Sequence, residues 1–141
     1  MADGGRRVAE DMTDWTTVKP YFETDVVAHL ATLMKDGSPH SIPLWVAVEG
    51  ERLVLFTEAD TLKDRNLRRD PRVAISVVAA DNPYSMAFVR GTAVERIEGD
   101  DALAYVDRIS RLYTGEPYGM REGLAVWFIE PTKAWARAYE D

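Results

Sequence analysis

A small β-barrel of short antiparallel strands, mainly β with helices as accessories, is the architecture that the sequence predicts. Three observations carry it. Short apolar stretches rich in Val, Ile, Leu, Phe and Trp recur between turn residues. Two of the separators are hairpin signals, Asp36-Gly37 and Glu49-Gly50. A long helical period occurs once, from Asp100 to Leu112, where Leu103, Val106 and Ile109 share a face. There is no internal repeat, low-complexity segment or linker. The expected organisation is a flexible tail, 1–14, followed by a single domain, 15–141.

The elements follow in order. Met1 to Met12 reads as loose tail. Asp14 can cap a short helix, Trp15 to Glu23, that Pro20 breaks or delays. Val26 to Leu33 is the first strand, and Lys35-Asp36-Gly37-Ser38 the turn after it. His40 to Val48 is the second strand, which Pro43 demotes to an edge or a bulge. Arg52 to Thr57 is the third. Thr61 opens a helix, Leu62 to Arg69, with Asp64 in a weak capping box, and Pro71 stops it. Val73 to Ala79 and Tyr84 to Glu95 are the next strands, with Gly91 marking a bulge or a close approach. The long helix is expected to be capped by Asp100. Gly115 to Gly123 is a loop, and Leu124 to Ile129 and Lys133 to Tyr139 are the last strands.

Composition excludes several classes of function. At 46% hydrophobic, the 141 residues support a packed core, yet no apolar run is long enough to span a bilayer. The first residues lack the apolar middle of a signal peptide, so a cytoplasmic location and no membrane partner are expected. With no cysteine, disulfides, thiolate catalysis and cysteine–zinc sites are ruled out. The formal charge of −7 argues against nucleic acid as a partner.

The basic residues are uneven, however. Five of the seventeen fall between Lys63 and Arg72, which suits a small anion better than a polymer. A helix N-terminus offers unpaired N–H groups and the positive end of a dipole. Lys63 sits in its first turn, Thr61 adds a hydroxyl, and Asn66 lies three residues on, able to face the same way. The same pattern also suits a solvated basic helix whose Arg65, Arg68, Arg69 and Arg72 aid solubility, and the pattern alone favours that reading.

Little else carries chemistry. His29 and His40 lie on separate strands without companions at metal spacing, so no metal site is assigned. Asp100, Asp101 and Asp107 belong to the start and solvent face of a helix. Trp45, Tyr84, Trp127 and Trp135 suit a core or a dimer interface, or the walls around a planar ring.

The ordered motifs Ala28-His29-Leu30-Ala31-Thr32-Leu33, Asp36-Gly37-Ser38-Pro39-His40, Ile42-Pro43-Leu44-Trp45, Thr61-Leu62-Lys63-Asp64-Arg65-Asn66-Leu67, Asp70-Pro71-Arg72, Val89-Arg90-Gly91-Thr92-Ala93 and Trp127-Phe128-Ile129-Glu130-Pro131 resemble the pyridoxamine 5′-phosphate oxidase-like FMN-binding split-barrel superfamily. The resemblance runs from about Trp15 to Ala138 and is nearest to the flavin/deazaflavin oxidoreductases that use coenzyme F420. It implies a six-stranded antiparallel split β-barrel with short flanking helices, forming a homodimer with the cofactor in a groove between subunits. It places the cofactor phosphate near Thr61, Lys63, Arg65 and Asn66, and Thr57 is counted among the cofactor-binding residues. The ring would lie against Thr32 and Pro43-Leu44-Trp45, with Tyr84 reaching the site from the partner chain.

One departure bears on the cofactor. The flavin-binding oxidases carry Arg and Lys on the second strand, whereas here it reads Ser41-Ile42-Pro43-Leu44-Trp45-Val46, with no basic residue. That favours F420, whose phosphodiester and glutamate tail spread charge toward Arg65, Arg68 or Arg69, over the doubly charged phosphate of FMN. The implied reaction is hydride transfer to an unsaturated small-molecule acceptor, and no catalytic side chain is assigned. An FMN oxidoreductase of the pyridoxamine 5′-phosphate oxidase type and a non-catalytic flavin or tetrapyrrole carrier are the alternatives.

Overall fold

The computed structural model describes residues 7–140 and contains eight strands. They are β1 (Arg7–Met12), β2 (Ala28–Leu33), β3 (Pro39–Leu44), β4 (Val46–Glu49), β5 (Arg52–Glu58), β6 (Arg72–Ala79), β7 (Asn82–Glu98) and β8 (Leu124–Glu140). The helices are α1 (Trp15–Val18), continued by a 3₁₀ turn at Lys19–Phe22, α2 (Leu62–Arg69) and α3 (Asp100–Thr114). Among the described residues no helix is long and apolar enough to cross a membrane.

The sheet runs β3-β2-β6-β7-β8-β5-β4, with every pairing antiparallel and β1 added on β8. Among the described residues, hydrogen bonds do not close this path. The chain closes it covalently, because β3 at one edge becomes β4 at the other through the single residue Trp45. Taking β3 and β4 as one bent strand, the seven strands of the path become six, the expected split barrel. The sequence read this bent strand as continuous from His40 to Val48. Tyr113 of α3 supports the corner. Its ring stacks on Trp45 at 5.1 Å, its hydroxyl accepts from Val46 N–H at 3.1 Å, and the Val26 carbonyl lies 2.7 Å away. Backbone groups that leave the ladder at the corner are thereby satisfied. Pro43, which has no N–H to give, lies on edge strand β3, as its chemistry requires.

Two apolar layers explain why β5 and β8 read as unbroken hydrophobic runs. Leu53, Leu55, Trp127 and Ile129 point into the barrel with Leu30, Ile75 and Val89. Val54, Val126 and Phe128 point outward, beneath Ala102, Val106 and Ile109 of α3. Strands buried on both faces do not alternate in polarity.

Several expectations change. Of the expected tail, residues 1–6 lie outside the described residues, but Arg7–Met12 is a strand. β5 covers the outer edge of β8 only over Leu124–Ile129, and β1 covers Ala136–Glu140 of the same strand. An exposed strand edge is thereby paired. β7 starts at Asn82, and β8 is continuous through Pro131, with a register shift opposite Arg90 and Gly91. Gly91 is required there, since a Cβ would lie 2.6 Å from the Glu130 carbonyl oxygen. The cap of α3 is Gly99 at φ +76° rather than Asp100, and no side chain caps that end. A left-handed turn out of β7 favours glycine, which shifts the cap by one residue.

Candidate functional site

Strand β5 delivers the chain to a turn, Glu58 to Thr61, that leads into α2. Asp60 in this turn has φ +66°, a strained value for a residue other than glycine, although Asp tolerates it better than most. Both of its backbone groups are held. Its N–H donates to Asp64 Oδ2 at 2.9 Å, and its carbonyl accepts from Arg65 Nη1 at 2.6 Å. Thr61 stands at the N-cap of α2, but its hydroxyl donates to the Glu58 carbonyl (2.9 Å) and meets the Thr57 hydroxyl (2.9 Å) instead of capping the helix. The expected capping box is therefore not formed, and the first amides of α2 receive no bond from this side chain.

Beside this turn lies a cleft of about 240 Å³ lined by Leu44, Trp45, Phe56, Thr57, Glu58, Lys63 and Tyr118. Among the described residues the Lys63 ammonium has no hydrogen bond or ion pair. Burial pushes its ammonium below the ordinary lysine value, while Glu58 and Asp64 pull it back up. In the same cleft, three rings meet nearly at right angles. Phe56 and Tyr118 are 4.8 Å apart at 70°, Trp45 and Phe56 6.3 Å at 69°, and Trp45 and Tyr118 6.3 Å at 82°. A lone cation, a helix N-terminus and an aromatic corner together suit a ligand with an anionic group and a flat apolar body.

Of the residues singled out in the sequence, Leu44, Trp45, Thr57 and Lys63 line this cleft, and Thr61 joins it through Thr57. The others are placed elsewhere. Asn66 does not line the cleft with Lys63. It is buried, donating to Thr32 Oγ1 at 3.1 Å and accepting from Arg69 Nη2 at 2.7 Å. A buried amide must find partners, and the core side of α2 offers them, so Asn66 and Thr32 lock α2 to β2. Thr32 also borders a separate hollow with Pro39, Arg72 and Arg90. Arg65 holds the Asp60 carbonyl, and Arg69 donates to the Leu33 carbonyl at 2.8 Å. Pro43 is exposed on β3, and Tyr84, the third residue of β7, lies outside the cleft.

Sequence reasoning missed Phe56, Glu58 and Tyr118 as cleft residues, and it missed the network beneath Lys63. Asp64 is fully buried and accepts from Arg96 Nε (2.9 Å), Arg96 Nη2 (2.8 Å) and Trp127 Nε1 (2.8 Å). Burial alone would raise the pKa of this carboxyl. The bonds from Arg96, Asp60 and Trp127 and the Arg96 charge outweigh burial and hold it at about 2. Phe56 and Glu58 flank Thr57 at the end of an apolar run, a signal that could have found them. Tyr118 has no comparable local signal.

The family model of pyridoxamine 5′-phosphate oxidase matches residues 16–137. No curated protein matches the chain. Among solved structures, an F420 reductase is 30% identical over 82% of this chain and 94% of its own, with a TM-score of 0.74. A conserved hypothetical protein of Mycobacterium tuberculosis is 25% identical over 92% of this chain and 88% of its own, with a TM-score of 0.77. A FAD-binding protein of Mesorhizobium loti shares the fold, with a TM-score of 0.75 and 19% identity over 97% of this chain and 100% of its own. With a family match over nearly the whole chain, and with a split barrel as its fold, this protein belongs to the pyridoxamine 5′-phosphate oxidase family.

Proposed function

We propose that this chain is an oxidoreductase that binds the deazaflavin coenzyme F420 and serves an unsaturated small-molecule acceptor. The observation that carries the reading is the cleft at the mouth of α2, which an unpaired Lys63 shares with an aromatic corner. The family match and the likeness to an F420 reductase support it.

The donor set fits a singly charged phosphodiester. Lys63 is the cation in the cleft, with the first amides of α2 beside it, and Glu58 in the same cleft opposes a second negative charge. Of the arginines expected to meet a glutamate tail, Arg65 and Arg69 are partly spent inside the chain. Arg68 is the least committed, at 3.8 and 3.6 Å from Asp60 and Asp64. FMN is the second reading, favoured by the family that the chain matches.

When bound, the cofactor supplies the hydride chemistry. Lys63 would hold its phosphate, and Thr57 and Thr61 would border that group. Trp45, Phe56 and Tyr118 would cover the ring and keep water from it. A second copy of the chain would complete the groove, because β2, β3, β6, β7 and β8 share an outward hollow of about 280 Å³ lined by His29, Ala31, Ala74, Phe88 and Trp135, among others. Tyr84 would reach the site from that copy.

The test is a pair of fluorescence titrations, with F420 and with FMN, into the purified protein. F420 binding tighter than FMN by at least tenfold supports the reading. Tighter FMN binding replaces it with the second reading, and binding of neither overturns both.

A further inference from the structure

Tyr118 lies in the loop between α3 and β8, far in sequence from the helix mouth, and the loop is built to hold it in place. Its backbone N–H donates to Asp107 Oδ1 at 3.1 Å, and its carbonyl accepts from Arg121 Nη1 at 3.0 Å. Asp107 and Arg121 form a two-pronged ion pair, at 2.8 and 3.0 Å. The Asp107 carboxyl is held below its ordinary pKa by the Arg121 bond in the first place and by the Tyr118 amide. At the far end of the loop the Gly123 carbonyl accepts from Ala59 N–H at 2.8 Å, tying the loop to the turn before α2. Glycines at positive φ bound the segment, Gly115 at +81° and Gly123 at +72°.

The side chain thus anchored completes the aromatic corner. A flat conjugated group stacked on Trp45, Phe56 or Tyr118 meets the other two edge-on, and both are favourable ring geometries. Without Tyr118 the corner is reduced to two rings. Among the described residues the Tyr118 hydroxyl has no hydrogen-bond partner, so the ring, not a polar contact, keeps the residue in the wall.

We propose that Tyr118 is the specificity-determining wall of the cleft, selecting a flat conjugated ring, and that the Asp107–Arg121 ion pair is its positioning device. This rests on the cofactor reading above and names the residue outside the helix mouth on which that reading depends.

The experiment titrates F420 and FMN into the native protein and into Tyr118→Ala, Tyr118→Phe, Arg121→Ala and Arg121→Lys. Visible circular dichroism of the bound ring and thermal melting are recorded alongside. Tyr118→Ala should weaken the better ligand about tenfold and change the ring's dichroism, with the melting midpoint unchanged. Tyr118→Phe should bind within about threefold of native. Arg121→Ala should lose part of the affinity, and Arg121→Lys, which keeps a donor and a positive charge beside Asp107, should lose less. Native-like binding and dichroism in Tyr118→Ala would overturn the inference while leaving the cofactor reading standing. Equal loss in Tyr118→Phe would also overturn it, since the hydroxyl would then be the selector. Binding of neither ligand by the native protein would overturn both.

Discussion

Arg96 of β7 grips Asp64 of α2 with two nitrogens, at 2.9 and 2.8 Å, inside a pocket from which the carboxylate is wholly excluded from water. The pair fixes the helix next to Lys63. Through the Asp60 amide it also fixes the strained turn that leads into the cleft. Removing one partner leaves the other buried and uncompensated, although Arg96 retains Glu98 at 2.5 Å. Asp64→Asn should therefore cost on the order of 3 kcal/mol in urea unfolding. Adding Arg96→Met should recover part of that loss, because it removes the charge that Asp64→Asn leaves without its carboxylate. A double variant less stable than Asp64→Asn alone would contradict this.

The same pair predicts an acid limb. The folded pKa of Asp64 is lowered from 3.8 to about 2. Its contribution is thus fully present above the unfolded value and is lost as pH falls through about 2. The stability gap between native protein and Asp64→Asn should narrow by roughly 2 kcal/mol between pH 5 and pH 2. A gap constant over that range would show that the carboxylate's charge is not what the network stabilises.

The helix α2 was legible to the residue, because Thr61 and Pro71 are local signals that bound it. The bend at Trp45 was not, since its support comes from Tyr113, and the sequence shows only an unbroken strand pattern there. Lys63 was legible through its position in the first turn. Asn66 was misplaced because residues three apart share a side of a helix, and periodicity does not say which side the core occupies. Asp64, Arg96 and Trp127 are distant along the chain, and only the closing of β7 and β8 over α2 brings them together. The loop that carries Tyr118 owes its place to a similar long-range contact, between Asp107 and Arg121.

Gly91 should not tolerate a side chain. A Cβ would meet the Glu130 carbonyl oxygen at 2.6 Å and Ile129 Cγ2 at 3.0 Å, and neither backbone nor core can move freely. Gly91→Ala should lower stability by about 1 to 3 kcal/mol, measured by chemical unfolding. Stability equal to native would mean that β7 and β8 part there without cost.

The homodimer can be tested on its proposed face. Ala74 is exposed on β6, in register with Ala31 of β2 and Arg90 of β7, and lines the outward hollow. Ala74→Glu would place a charge at the centre of that face. Light scattering at micromolar concentration should give a dimer mass for the native protein and a monomer mass for the variant. A native monomer, or an unchanged dimer in Ala74→Glu, would contradict the proposed interface.

The most direct test of the cofactor site is Lys63. Its ammonium is unpaired among the described residues, half-buried, and set at the mouth of α2. Replacing it with Ala removes one charge-assisted contact to a bound phosphate, worth about 1.5 to 3 kcal/mol. F420 titrated into Lys63→Ala should bind roughly ten- to a hundredfold more weakly than to the native protein. Lys35→Ala, which removes an equal charge in the β2–β3 turn, should bind like native, and both variants should melt normally. Native affinity in a normally folded Lys63→Ala would place the phosphate elsewhere and leave the helix a solvated basic face.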